Sequence, residues 1–253
     1  MKKNVMMRLA SFLLVAVLIS TSAISGTYAK YVTSGSASDA ARVAKWGVTL
    51  TLDADSNFKN EYATHDDDYT GSVSVRSEDA AKVVAPGTSS ADVDGRLIFS
   101  ITGTPEVATK VDISMKVNND IMLKAGDYDK ATTAAADGNY TLANDYYPVV
   151  YTLTQISSAT GEVMAPVSGN LNTIKTALET YANTAYYAPN TKLDASFKLT
   201  WAWAFDGEQT LNGVTFDADT VDMADTTLGN LAAVNSGNTK LNYELTITVT
   251  QVD

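Results

Sequence analysis

The sequence predicts an all-β fold, an antiparallel β-sandwich with one or two short helices in its connecting insertions. Several segments alternate apolar and polar residues with period two, which is the pattern of a half-buried strand. Polar loops separate these segments, and the chain lacks the regular succession of strand and helix that builds a parallel sheet. With 253 residues, the chain is long enough to bury a substantial core.

The strand pattern begins at residue 46 and recurs to the end of the chain. In the first predicted strand the apolar residues share one face, namely Trp46, Val48, Leu50 and Leu52. A short strand is expected around Val73 and Val75, and residues 85–88 (Ala-Pro-Gly-Thr) indicate a turn. The remaining predicted strands cover residues 97–101, 107–117, 149–156, 197–205 and 243–250. In the strand at 197–205, the large aromatic residues Phe197, Trp201, Trp203 and Phe205 share one face and are expected in the core.

Helical spacing occurs in one long segment between the predicted strands. Leu171, Ile174 and Leu178 fall on one helical face, and Asn170 is a suitable N-cap, so we expect a helix over residues 168–184. A second, short helical turn is expected at residues 227–234. Residues 124–147 show no period and are interpreted as a long loop or insertion.

The first thirty residues follow the order of a secretory signal peptide. Lys2, Lys3 and Arg8 precede an apolar run over residues 9–19, and small residues stand at the −3 and −1 positions of a cleavage site between Ala29 and Lys30. The strongly apolar run is shorter than the roughly 20 residues that span a bilayer. A cleaved signal at 1–29 is therefore favoured over a membrane anchor. We expect the protein to be secreted, to the cell surface or the extracellular matrix, with no stable membrane insertion after cleavage.

Composition narrows the function classes of the remaining chain. Cleavage would remove three of the 18 basic residues and none of the 29 acidic ones, which leaves 15 against 29 and a formal net charge of −14. So acidic a chain repels nucleic acid, and no nucleic-acid partner is expected. The absence of cysteine excludes disulfides, thiol catalysis and Cys-ligated zinc. We expect one β-sandwich domain over residues 43–253, with the helical segment at 168–184 inserted in it.

Residues 30–42 form a leader that differs from the domain behind it. They are small and polar, and in isolation such a segment cannot bury itself and stays flexible. The leader includes Lys30, Tyr31, Val32, Thr33, Ala37, Ala40 and Arg42.

Three local patterns, taken together, indicate a family. The first is residues 26–31 (Gly-Thr-Tyr-Ala-Lys-Tyr) followed by residues 41–48 (Ala-Arg-Val-Ala-Lys-Trp-Gly-Val). The second is residues 84–88 (Val-Ala-Pro-Gly-Thr) before a long alternating strand. The third runs from Trp201 to Phe205, through residues 225–229, to the closing Thr-Gln-Val-Asp. With these patterns the chain resembles the bacterial secreted proteins with SipW-type signal peptides, the broad TasA/camelysin group.

The resemblance implies a jelly-roll-like β-sandwich and the role of a structural subunit in an extracellular biofilm-matrix fibre. In such fibres the mature N-terminal segment of one subunit completes a sheet of the next, which is donor-strand complementation. On this chain the resemblance implies that the donor is the leader at 30–42, with the seven leader residues named above as candidate donor residues. The partners would be copies of the chain in a head-to-tail filament, with related matrix or anchoring subunits as further partners. An open sheet edge offers unpaired backbone groups to such a strand, and head-to-tail contacts do not close on themselves.

The sequence singles out no catalytic residue. The camelysin branch of the resemblance implies proteolysis, so a secreted metallopeptidase is one alternative, and a monomeric surface adhesin is another. A catalytic zinc site commonly uses two or three histidines, whereas this chain has only His65, in a Thr-His-Asp-Asp-Asp run. We therefore expect a structural protein rather than an enzyme.

Calcium is the only cofactor for which the sequence offers candidate ligands. Asp66, Asp68 and Thr70 match the start of an EF-hand loop, although Ser77 stands where a bidentate acid is expected. A second set gathers oxygen ligands at Asp217, Asp219, Asp222 and Asp225. In so acidic a chain these runs are also typical of solvated loops.

Overall fold

The structure is a computed structural model of the chain. It describes residues 13–15, 42–52, 57–62, 75–78, 82–90, 97–126 and 142–252. The chain divides into two compact units, Met1–Lys45 and Trp46–Asp253. In the first unit, residues 13–15 are helical and exposed, and residues 42–45 have no regular secondary structure.

The second unit is mostly β, as the sequence predicts. Its strands within the described residues are, in chain order, β1 (Val48–Leu52), β2 (Glu61–Tyr62), β3 (Val75–Arg76), β4 (Leu97–Gly103), β5 (Thr109–Asn119), β6 (Val149–Ser158), β7 (Val167–Gly169), β8 (Tyr186–Tyr187), β9 (Leu193–Trp203), β10 (Gln209–Leu211), β11 (Val214–Phe216) and β12 (Asn242–Gln251). Within the same described ranges, its helices are α1 (Leu171–Thr184) and α2 (Ala218–Ala233).

The strands form two larger antiparallel sheets. The first has the order β1-β4-β9-β6-β7, and the second has the order β12-β5-β8. Two short pairs, β2 with β3 and β10 with β11, lie outside them. The described pairs are all antiparallel, so the prediction of antiparallel sheets is confirmed.

Both sheets and both helices contribute to one hydrophobic core. The alternating strand β9 is its centre, because every second side chain from Leu193 to Trp203 is buried. The Trp201 ring stacks on Phe58 and meets the edge of Tyr62, and its Nε1 donates to the backbone oxygen of Asn57 at 3.0 Å. The core placement predicted for Trp201 and Trp203 is therefore confirmed.

Phe205 is the exception among the aromatic residues of this segment. It is 61% exposed, because β9 ends at Trp203 and the chain turns through Gly207, whose φ of 88° lies in the left-handed region. The predicted strand was two residues too long, and the core placement of Phe205 was wrong.

Helix α1 agrees with the predicted position. Asn170 is its N-cap, and its side-chain Oδ1 accepts a hydrogen bond from the Thr173 N–H at 3.0 Å. The buried face carries Leu171, Ile174 and Leu178, which are the residues whose spacing predicted the helix.

Helix α2 is longer than the predicted turn at 227–234. It has 16 residues and begins after Asp217, whose Oδ1 accepts from the Thr220 N–H at 2.7 Å. The first half buries Val221 and Ala224, a stripe that is hard to recognise because alanine is small and aspartates surround it. The acidic run predicted as a ligand-bearing loop is therefore mostly helix.

Candidate assembly edge and candidate ligand sites

Several sites predicted from the sequence lie outside the described residues. These are the cleavage site at Ala29 and Lys30, the leader residues Tyr31, Val32, Thr33, Ala37 and Ala40, the first calcium set at Asp66, Asp68 and Thr70, and His65. Of the named leader residues, Arg42 is described; it is exposed and lies outside regular secondary structure.

Strand β5 is covered on the side away from β12 by a strand and a helix. Its first residues pair with β8, and next to them the Val111 N–H donates to the backbone oxygen of Ala185, which follows α1, at 3.1 Å. At the other end, the backbone N–H of Leu171, the first residue of α1, donates to Asp120 Oδ2 at 3.1 Å. Helix α1 thus extends from one end of β5 to the other. We call β8 and α1 the covered side.

Asp120 joins three elements on the covered side. Besides the Leu171 N–H, its carboxylate accepts from the Ile121 N–H at 2.9 Å and from the Tyr151 hydroxyl of β6 at 3.4 Å. Burial raises the pKa of Asp120, and the two backbone hydrogen bonds partly offset that rise. The negative form also complements the dipole at the start of α1. No sequence motif marks this residue, which lies one position beyond β5.

Strand β12 has the opposite environment. It pairs with β5 along its whole length, from Asn242 opposite Asn119 to Gln251 opposite Thr109. Over residues 242–250, no strand of the described chain lies on its other side. We call this row of backbone groups the open edge.

The core-facing side chains of the open edge are incompletely covered. Tyr243, Leu245 and Val249 are half-buried, whereas Val111 and Met115, on the neighbouring strand β5, are buried. Strand β1 shows the same feature at the end of the five-stranded sheet, where Val48 and Leu50 are half-buried. Each of the two larger sheets therefore has an end strand whose apolar side chains pack against the core but are only partly covered by the described residues.

The second predicted calcium set, Asp217 with Asp219, Asp222 and Asp225, is distributed along α2. Asp217 is used as the N-cap, and Asp225 faces the protein. Across all the residues that the structure describes, no group of three or more His, Cys, Asp or Glu side chains is arranged to hold a metal ion. The described residues therefore offer no cluster of side chains that could bind calcium.

Asp225 instead connects α2 to two other elements. Its Oδ1 accepts from the Tyr146 hydroxyl at 2.7 Å, and its Oδ2 accepts from Trp203 Nε1 of β9 at 3.0 Å. Burial raises its pKa to about 6; both hydrogen bonds act against this rise, and the nearby charge of Asp222 adds to it. No sequence pattern indicates this role, because it depends on which side of α2 faces the core.

A polar pocket of about 430 Å³ lies where β6, β7, the start of α1 and the β10–β11 hairpin meet. The hairpin turn is Asn212-Gly213, and both residues have positive φ, 51° and 82°. This Asn-Gly pair between Leu211 and Val214 is a strong hairpin signal that sequence reasoning missed. The turn contacts α1 through Asn212, whose Oδ1 accepts from the Asn170 N–H at 3.1 Å.

No family model, no curated protein and no solved structure matches the chain. None of the helices within the described ranges has the length and apolar character needed to cross a membrane.

Proposed function

We propose that this chain is a secreted structural subunit of a surface or biofilm-matrix fibre, assembled head to tail by strand donation. The leader at 30–42, freed by signal cleavage after Ala29, would pair with the open edge of the next copy. The resemblance to the TasA/camelysin group is one support for this proposal. The other, and the observation that carries it, is the open edge itself.

The open edge has the length and chemistry that strand addition needs. Its outer backbone donors and acceptors over residues 242–250 are not paired with any strand of the described residues, and a segment the length of the leader could pair along most of it. An added strand would also cover the half-buried side chains of Tyr243, Leu245 and Val249. Apolar area removed from water stabilises such a contact by roughly 25 cal/mol per Å².

The open edge has few of the features that usually protect an edge from pairing. Exposed edges are commonly protected by charged residues, above all lysine, and by proline, bulges or very short strands. Residues 243–250 contain neither lysine nor proline, and the one register shift lies at the start, between Asn242 and Tyr243. Glu244 is the one charged residue of this stretch, and the other outward side chains are Thr246, Thr248 and Thr250. The covered side differs, because a helix lies along it.

The proposal includes a jelly-roll-like arrangement of the two sheets. The order β1-β4-β9-β6-β7 places strands that are distant in sequence beside one another, as crossing connections of that class require. The shared core is consistent with two sheets that face each other.

Electron microscopy of two forms of the protein tests strand donation. One form begins at Lys30, and the other lacks residues 30–42. We expect filaments only from the longer form, because the shorter form keeps the open edge but has no donor. Filaments of the same shape and yield from both forms would refute strand donation by the leader.

A mixing experiment separates donor from acceptor. A synthetic peptide of residues 30–42, added in excess to the longer form, should shorten or abolish its filaments by occupying the open edge. A scrambled peptide of the same composition is the control and should have no effect. Equal inhibition by both peptides would contradict pairing in a defined register.

A further inference from the structure

The polar pocket beside the β10–β11 hairpin has fixed hydrogen-bonding groups. The Asn212-Gly213 turn adopts the left-handed conformation that two-residue hairpins require, so the turn is held before any ligand arrives. The lining includes Val149 and Val150 of β6 and Ser168 of β7.

The hydrogen bonds orient both asparagine side chains. Asn170 Oδ1 is engaged by the N–H and the hydroxyl of Thr173, at 3.0 Å and 3.2 Å. Asn212 Oδ1 is engaged by the Asn170 N–H. In each amide the oxygen is therefore directed at α1, which leaves both Nδ2 groups as donors for a ligand.

The pocket is not suited to an anion. Two of the N–H groups at the start of α1 are already used, since Leu171 donates to Asp120 and Thr173 donates to Asn170. No lysine, arginine, aspartate or glutamate is among the described residues that line it. In a chain of net charge −11, a lining without charged groups indicates a neutral ligand.

The other polar groups of the lining are hydroxyls, and the apolar part of the lining includes Val149, Val150 and Leu211. Ser168 is paired with Thr152 at 2.8 Å, and Thr210 is paired with Thr215 at 3.0 Å. A hydroxyl in such a pair still has a free acceptor or donor site, because each can donate once and accept twice. Tyr147 supplies a half-buried ring and a hydroxyl.

We propose that this pocket binds a neutral saccharide, a monosaccharide or disaccharide unit of a larger glycan. The two Nδ2 groups donate to sugar oxygens, the hydroxyls exchange hydrogen bonds with sugar hydroxyls, and the Tyr147 ring packs against a sugar face. The volume of about 430 Å³ lies in the usual range of small-molecule pockets, about 300–1,000 Å³. The proposal is independent of fibre assembly.

Ligand-observed NMR on the protein expressed from the full-length sequence tests this proposal. The probes are maltose, cellobiose and diacetylchitobiose as neutral saccharides, and digalacturonic acid as an acidic one. At least one neutral disaccharide should receive saturation from the protein, and the acidic one should not. The proposal is overturned if no neutral probe binds, or if the acidic probe binds equally well.

Two variants and a control locate the binding. Asn212→Asp keeps an acceptor for the Asn170 N–H and a residue that tolerates the turn, but it removes the Nδ2 donor and adds a charge. We expect affinity to fall about tenfold or more, the effect of losing one good hydrogen bond. Tyr147→Phe keeps the ring but loses the hydroxyl, and should weaken binding by a smaller factor.

The matched control is Asn235→Asp. Asn235 also has a positive φ, 51°, and follows α2 outside the pocket lining, so the same chemical change adds the same charge elsewhere. Affinity should stay within about twofold of the original. Binding that survives Asn212→Asp and Tyr147→Phe unchanged, or that falls equally with Asn235→Asp, would show that the saccharide binds elsewhere and would overturn the assignment.

Discussion

The two edges of β5 have different neighbours. On the covered side, β8 and α1 extend along the strand, and Asp120 connects the start of the helix to it. On the other side, β12 adds one more strand and then leaves the open edge. On the covered side, the first residues of β5 find backbone partners in β8 and Ala185, and α1 packs beside the rest. On the open edge, no further strand of the described chain pairs with residues 242–250.

The largest effect on stability is expected on the covered side. In Asp120→Ala, the Leu171 and Ile121 N–H groups and the Tyr151 hydroxyl lose a buried acceptor. We expect a loss of roughly 3 kcal/mol in the free energy of unfolding, measured with urea. The control is Asp112→Ala on the exposed face of β5, which breaks a surface ion pair with Lys110 and should cost less than about 1 kcal/mol. Equal losses would mean that Asp120 does not connect the elements as described.

A substitution at Gly103 tests how closely β4 packs against β1, the end strand of the five-stranded sheet. A Cβ at Gly103, whose φ is 152°, would collide with the backbone oxygen of Gly47 at the start of β1. Gly103→Ala should therefore lower the unfolding free energy by about 2 kcal/mol. At Gly229, inside α2, a Cβ meets nothing within 4 Å, and alanine there should raise stability by about 0.5–1 kcal/mol. Changes of the same sign in both variants would contradict this account.

The titration of the Asp225 carboxyl should be visible in the pH dependence of the unfolding free energy. Its pKa rises from 3.8 to about 6 on folding, so the folded state favours the protonated form. The contribution of Asp225 to the unfolding free energy is complete below pH 3.8 and is lost as pH rises through about 6. The total loss is no more than about 2–3 kcal/mol. Asp225→Asn removes this titration, so the difference in unfolding free energy between the two proteins should change by up to that amount across the window.

The exposed neighbour Asp222 provides the control for that experiment. Asp222→Asn leaves the Asp225 carboxyl in place beside Tyr146 and Trp203, and removes only a nearby charge. The pH dependence should remain, displaced slightly to lower pH. Parallel curves for the original protein and Asp225→Asn would show that the carboxyl does not titrate in this window.

The smallest effect on stability is expected at the open edge, together with the largest effect on assembly. Thr246→Lys places a charge on the edge strand and should change the unfolding free energy by less than about 0.5 kcal/mol. It should nevertheless reduce filament formation, because edge lysines disfavour strand addition. Ser114→Lys is the matched control, since Ser114 lies opposite Thr246 on β5, one strand inside the edge. Filaments lost equally in both variants would point to charge alone.

The long strands and α1 could be predicted from sequence because one face of each is buried. One-sided burial produces the alternation of apolar and polar residues in β5, β9 and β12. It also produces the helical spacing of Leu171, Ile174 and Leu178. Short strands such as β7 and β8 carry too few residues to show a period. The first half of α2 was missed because its buried stripe uses alanine between aspartates.

The candidate sites were harder to predict than the elements that carry them. Asp120 and Asp225 act through contacts with residues far along the chain, Leu171 and Tyr146 among them. Local sequence cannot show such contacts. The Asn212-Gly213 turn could have been found, because its dipeptide signal is local, but the pocket beside it depends on how the hairpin meets α1.

The ten-residue pairing of β12 with β5 has a mechanical consequence for a filament built on the open edge. A donated strand would pull on β12 along its own direction, and antiparallel hydrogen bonds lie perpendicular to that pull. The ladder would then be loaded in shear, so its bonds share the force instead of opening one after another. Single-molecule stretching along the strand should require more force than peeling β12 from its C-terminal end, and equal forces would contradict this geometry.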